Sequence, residues 1–329
     1  MTVLLNRLSL AAVLCLAVSS VAAEPLELET IQRRLDPERK ELTRVGALEF
    51  RGALEITSSH PAFGGLSGIE LSADGSRMTT ISDKGTWITA RLRYDEGGWL
   101  AGMEDGAVAP ILDPQGRTLD EKYTQDAESL AVLPGGDLLV AFERQHRLWR
   151  FAGNPDPGSH RASPWPSPPG LEGYPDNLGL EAIATLADGR ILAITENAIE
   201  TAPGDSHFPA FLWNGKDWDQ FSYRRKGEFR PSGLAALPNG DVLVLERSFS
   251  WLAGIAARLV RMPAAALKPG NLVEGEELAA LAPPILTDNW EGLTVRRAAN
   301  GETHIYLLSD DNFLLIQRNL LAMFALVEE

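Results

Sequence analysis

Leu180-Glu-Ala-Ile-Ala-Thr185 leads through Asp188-Gly189 into Arg190-Ile-Leu-Ala-Ile-Thr195. Two short strand-like runs joined by a dipeptide that accepts the positive φ of a tight turn read as a β-hairpin. The opening phrase occurs four more times, as Leu66-Ser-Gly-Ile-Glu-Leu71, Ala127-Glu-Ser-Leu-Ala-Val132, Pro231-Ser-Gly-Leu-Ala-Ala236 and Trp290-Glu-Gly-Leu-Thr-Val295. Each copy has its own turn, at Asp74-Gly75, Gly135-Gly136, Asn239-Gly240 and Asn300-Gly301. A second strand then follows over residues 77–82, 137–142, 241–245 and 304–309.

The small residue of the phrase falls at Gly68, Ser129, Ala182, Gly233 and Gly292, a recurrence every 51–61 residues. That interval suits a four-stranded propeller blade with generous loops. The expected fold is therefore all-β: a β-propeller with five recognisable blade repeats, five- or six-bladed. Third strands fit residues 87–94, 147–151 and 258–262. The strand at residues 45–56 has no hairpin partner and is expected to pair with residues 314–326, closing the ring and removing its open edges. Residues 31–43 read as a charged amphipathic helix within a leader spanning 24–44, ahead of a propeller domain at 45–329. The stretches 154–170 and 201–231 read as the longest irregular insertions between blades.

The chain has 329 residues and a formal charge of −15, which repels a phosphate backbone and excludes nucleic acid as the expected partner. Residues 1–23 have the pattern of a secretory signal: Arg7, an apolar run, and Val21 and Ala23 at the −3 and −1 positions. Their removal would take away Cys15, the single cysteine, and leave no thiol chemistry. No other apolar run approaches the length of a membrane span. The reading is a periplasmic or secreted monomer.

Aligning the copies exposes candidate chemistry. The residue after each second strand is acidic: Asp83, Glu143, Glu196, Glu246 and Asp310. The second position of the phrase adds Glu128, Glu181 and Glu291, with Ser67 and Ser232 in the other two copies. A propeller arranges equivalent positions around one axis, so both columns should converge on the mouth of the channel. Crowded carboxylates repel unless something positive lies among them. One candidate is a hard divalent cation, expected to be Ca2+ with Mg2+ or Mn2+ as alternatives, held by oxygens of Asp83, Glu128, Glu143, Glu181, Glu246, Glu291, Asp310 and Asn312. The other is the set of cations that follow the acids, Lys84, Arg144 and Arg247. Zinc is disfavoured, because no histidine has a partner at ligand spacing. His146 is a candidate proton carrier, and Trp290 a candidate channel-lining aromatic. No nucleophile elbow, zinc-protease, Walker or dinucleotide motif is present.

These phrases resemble the bacterial esterase-like phytase family of exported phytase-like domain proteins. The resemblance rests on Phe63-Gly-Gly-Leu-Ser-Gly-Ile-Glu70, Ile81-Ser-Asp-Lys-Gly-Thr-Trp87, Asp126-Ala-Glu-Ser-Leu130, Leu245-Glu-Arg-Ser-Phe249, Asp288-Asn-Trp-Glu-Gly-Leu293, Ser309-Asp-Asp-Asn-Phe313 and Gln317-Arg-Asn-Leu-Leu321. It implies a calcium-dependent ester hydrolase acting on a small-molecule ester, with phosphoesters favoured. Glu181, Glu196, Arg144, Arg247 and Lys84 would then be the catalytic set. A lactonase- or carboxylesterase-like propeller enzyme and a non-catalytic ligand-binding propeller remain the alternatives.

Overall fold

The computed structural model describes residues 23–153, 160–252 and 254–327. The secretory-signal reading, apart from Ala23, and part of the Pro-rich insertion lie outside them. Among the described residues the strands form five sheets, the blades, antiparallel throughout except for one short parallel pair, Ser222–Tyr223 with Leu272–Val273, at the outer edge of the third. Their innermost strands are Leu66–Leu71, Ala127–Val132, Leu180–Thr185, Arg230–Ala236 and Trp290–Arg297, the five repeated phrases. Each innermost strand packs on the next, and the fifth returns to the first. The fold is a five-bladed β-propeller.

The fifth blade closes the ring. Asn319–Leu326 from the end of the chain pairs antiparallel with Leu48–Thr57 from its beginning, with Leu321 opposite Leu54 and Phe324 opposite Phe50. The expected partnership of the two termini is thus present.

Each of the five hydrophobic clusters fills one interface between neighbouring blades. This double cover accounts for second strands as apolar as Leu138–Phe142 and Ile191–Thr195. Along Thr303–Ser309, Ile305 and Leu307 face the fourth blade while Tyr306 and Leu308 face the first, the alternation of a pleated strand covered on both sides.

The small-residue column sits where inner strands approach most closely. A Cβ on Gly68 would lie 2.4 Å from the Leu130 nitrogen, and one on Gly292 would lie 2.6 Å from the Ser67 carbonyl. Where the position is serine, it bridges instead: the Ile183 amide donates to Ser129 Oγ at 3.0 Å.

Two expectations are corrected. Residues 31–43 form no helix. Glu29–Arg33 is an edge strand on Leu48–Thr57, fixed by Arg33 Nε donating to Glu55 Oε2 at 2.8 Å. Tertiary pairing there overrides a local helical pattern. The supposed insertion at 201–231 is mostly sheet: Ile199–Ala202, Asp205–Trp213 and Trp218–Arg224 build the outer part of the third blade. No helix among the described residues is long and apolar enough to cross a membrane.

Candidate active site

Every blade carries an irregularity at the same place. In the third blade Leu180 pairs with Thr195 and Ala182 with Ile194, so Glu181 is an extra residue without a partner opposite. Glu128 is the extra residue in the second blade, Ser232 in the fourth and Glu291 in the fifth. In the first, both Ser67 and Gly68 fall in the gap. A β-bulge bends its strand and re-aims a side chain. The inner acidic column is therefore a ring of bulge residues.

The closest grouping lies between the second and third blades. Carboxylate oxygens of Glu143, Glu181 and Glu196 all lie within 4.8 Å of one another. Glu143 is pinned by the Gly179 amide, which donates to its Oε1 at 2.6 Å. A Cβ on Gly179 would come 2.3 Å from His146 Nδ1, so glycine is what lets that amide approach. Glu181 Oε1 accepts from Arg247 Nη2 at 2.9 Å. The same guanidinium stands 3.4 Å from Glu291 Oε1 and donates through Nη1 to Asn289 Oδ1 at 3.0 Å. Asn289 Nδ2 in turn donates to Glu291 Oε1 at 2.7 Å. One arginine thus ties the acids of the third and fifth blades together across the axis.

Burial dominates the electrostatics, with neighbouring acids adding to it. Burial and the charges of Glu181, Glu196 and Asp126 push Glu143 up to about 9. Burial and Glu196 push Glu181 to about 7 against the opposing pull of Arg247. Glu128 and Glu291 are raised well above the usual carboxylate range for the same first cause. Glu128, Glu143, Glu181 and Glu291 thus hold their protons more tightly than free carboxyls do, because the Arg247 guanidinium does not offset their burial and mutual repulsion.

Not every residue expected at the site is there. Glu246 is completely buried and faces away from the cluster, paired with the Arg258 guanidinium on one oxygen and accepting from Tyr223 Oη at 2.8 Å on the other. It forms a buried ion pair apart from the other acids expected to hold a cation. Lys84 is likewise corrected: its Nζ donates to the Pro61 carbonyl at 2.8 Å and lies 3.8 Å from the centre of the Phe313 ring. Arg144 is engaged by Asp126.

Asp83 belongs to a separate network, bound to Lys122 Nζ at 2.7 Å, and the same nitrogen reaches Asp126 Oδ1 at 2.6 Å. Lys122 went unnoticed in the sequence because it belongs to no repeat. Asp310, raised by burial to about 7, accepts the Asn312 amide at 2.8 Å, while Asn312 is itself exposed on the rim. Trp290 is fully buried in the interface of the fourth and fifth blades and does not line the channel. Ser232 donates to the Trp290 carbonyl at 2.8 Å, a bridge between blades and no nucleophile. His146 Nε2 lies 3.0 Å from the Pro175 carbonyl.

Above the cluster opens a cavity of about 440 Å³ into which Glu196, Arg230, Arg247 and Asn289 project. Arg230 Nη1 stands 3.4 Å from Glu196 Oε1. The second, missed arginine opens an innermost strand rather than following a repeat acid, so alignment of the copies did not single it out.

Fold and site define a five-bladed β-propeller with buried carboxylates gathered on its axis. The chain belongs to the phytase-like family, described by the esterase-like activity of phytase, whose profile matches residues 61–313. Membership points to hydrolase-type chemistry. No curated relative matches the chain in sequence. Similar solved structures include an endo-arabinase from Bacteroides thetaiotaomicron, 11% identical over 81% of this chain and 95% of that one with a TM-score of 0.49. A protein of unknown function from Dyadobacter fermentans is 12% identical over 94% of each chain, with a TM-score of 0.43. The β-propeller domain of Cps50 (Swd1) from Myceliophteria thermophila is 10% identical over 92% of this chain and 99% of that one, with a TM-score of 0.39.

Proposed function

We propose that this protein is an exported, metal-dependent ester hydrolase that cleaves phosphoesters at the axial cluster. The observation that carries the reading is the trio Glu143, Glu181 and Glu196, whose oxygens lie within 4.8 Å of one another beneath an arginine-lined cavity. The donor set is wholly carboxylate and suits a hard cation of the calcium class better than zinc. Three protein carboxylates are fewer than the six to eight oxygens calcium takes, which leaves room for water and substrate. The raised proton affinities of Glu143 and Glu181 mark the missing positive charge.

A bound cation would supply Lewis-acid polarisation of the phosphoryl oxygen. The chain's own residues do the rest. Arg247 and Arg230 offer guanidinium donors to the remaining phosphate oxygens. Glu196 is the half-buried member of the trio and faces the cavity, so it takes the proton of an attacking water. Glu128 and Glu291 lie beside the trio and would give up their protons as a cation enters.

A second reading, a carboxylic-ester or lactone hydrolase, is favoured by one observation: Lys84 and Arg144 are spent on Pro61 and Asp126, so fewer cations face a phosphate than the sequence implied. Purified protein assayed in chelator and in calcium, magnesium and manganese against aryl phosphates, aryl carboxylates and lactones separates the two. Background rates on every ester with every metal sink both. Export is tested by N-terminal sequencing of the protein from a secreting host, with Glu24 expected first.

A further inference from the structure

The second strand of the fourth blade is unlike its counterparts. Ile191–Thr195 stops one residue short of Glu196, whereas Val242–Ser250 continues four residues past Glu246, about 13 Å of extended chain. It pairs with Gly254–Met262 out to its tip, with Phe249 opposite Ile255 and Ser250 opposite Gly254. The hairpin therefore stands above the channel mouth, and its projecting end is apolar. Phe249 is 59% exposed and packs edge-to-face on Trp251 at 5.3 Å between ring centres, and Trp251 is itself 93% exposed. Facing it is the loop after Asp310, where Leu314, Leu315 and Ile316 are all exposed.

The two projections share one cavity. Phe249 and Ile255 from the hairpin and Leu314 from the loop give it an apolar side, while Arg230, Arg247 and Asn289, with the carboxylates Glu196 and Glu228 beside them, give it a charged one. Large apolar side chains gathered at one mouth mark a recognition surface, because a soluble protein rarely leaves such a patch in water without use. A cavity with a charged side and an apolar side matches a ligand that is itself divided, with an oxyanion at one end and a hydrocarbon or aryl group at the other.

We propose that this cavity binds amphipathic phosphoesters, with the phosphate on Arg230 and Arg247 and an alkyl or aryl group against Phe249, Ile255 and Leu314. The assignment rests on the phosphoester reading for its anionic end. The apolar side sets substrate preference, and polyanionic substrates without an apolar part are poor ligands.

The test uses the intact protein and n-alkylphosphonates from ethyl to octyl, which bind without being cleaved, titrated calorimetrically in calcium below their micelle concentrations. Affinity is expected to rise about 3- to 4-fold per added methylene over the first several carbons. In the Phe249→Ala/Leu314→Ala double variant the ratio of octyl to ethyl affinity is expected to fall at least tenfold. Both side chains are exposed, and Leu314→Ser alone serves as the second variant. Length-independent binding by the wild type overturns the inference, as does an unchanged octyl-to-ethyl ratio in the variants. So does a wild type that shows no length dependence and instead sediments with phosphatidylcholine vesicles or self-associates through the same residues. Length-dependent binding without hydrolysis of any phosphoester would fail the hydrolase reading and support this one; hydrolysis without length dependence would do the reverse.

Discussion

Glu246 and Arg247 are neighbours in the chain yet serve opposite faces of one strand. Glu246 turns into the wall between the third and fourth blades to meet Arg258 and Tyr223, and Arg247 turns to the axis to meet Glu181, Glu291 and Asn289. Period-two alternation forces the choice: where four blades offer the axis an acid, the fourth offers it a base. The only blade whose bulge residue near the cluster is a serine next to this base, Ser232, is also the one that supplies the positive charge.

Replacing Arg247 by Met removes that charge and leaves Glu181 and Glu291 facing each other. Breaking a buried ion pair from one side costs about 3–5 kcal/mol. Denaturant melts in chelator are expected to show a loss of that order, and added calcium should recover part of it by supplying the missing charge.

Glu181→Gln keeps shape and an oxygen while deleting a charge. In chelator the variant is expected to be as stable as the wild type or more so, because repulsion with Glu196 is relieved. The upward shift of melting temperature that calcium gives the wild type should shrink or vanish, along with ester hydrolysis. A variant that unfolds in chelator while the wild type does not would make Glu181 a structural acceptor.

Glu246→Gln is the contrasting case. It should destabilise the fold by about 1–3 kcal/mol, since Arg258 loses its charged partner in a buried wall. The melting shift between chelator and calcium should stay as in the wild type, because Glu246 does not face the cluster.

The metal-free protein should lose stability as pH rises. Glu70, half-buried and accepting from Thr294 Oγ1 at 3.0 Å, is raised by desolvation from 4.5 to about 7; Asp310 is raised to about 7 and Glu143 to about 9. A group whose folded pKa exceeds its unfolded one holds its proton more tightly in the native state. Its contribution is therefore complete below about pH 4.5 and is lost as pH climbs through 7 to 9. Urea melts in chelator are expected to give lower stability at pH 8.5 than at pH 5.5. Glu70→Gln, at the opposite end of its strand from the cluster, should narrow that gap by about 1–2 kcal/mol.

Gly292→Ala tests the close approach at the axis. Its Cβ would meet the Ser67 carbonyl at 2.6 Å, so the inner strands of the first and fifth blades must separate. A loss of about 1–3 kcal/mol is expected from thermal or denaturant melts.

The blades were legible because three signals coincide in each repeat: the phrase, the glycine turn and a second strand-like run after it. The acidic columns were legible for the same reason. Their aim was not. That Glu181 and Glu291 reach the axis depends on a bulge, and no residue type announces a bulge in these phrases. Glu246 was misassigned because its column matches its counterparts in sequence while its register places it against Arg258. Trp290 was misassigned for a like reason, since adjacent residues on a strand face opposite ways and Glu291 took the axis. The edge strand at Glu29–Arg33 was hidden because an edge strand with one exposed face carries the charges of a surface helix.

The seam in the fifth blade makes the ring a clasp fastened by its last link. Leu48–Thr57 precedes the other four blades in the chain and Asn319–Leu326 follows them, so until the later strand arrives four blades and part of a fifth wait with an open hydrogen-bonding edge. Such an edge pairs with whatever strand it meets first, including the same segment of another molecule. Deleting Asn319–Leu326 should therefore convert a closed ring into a polymerising one, even though the carboxylate trio lies two blades away from the cut.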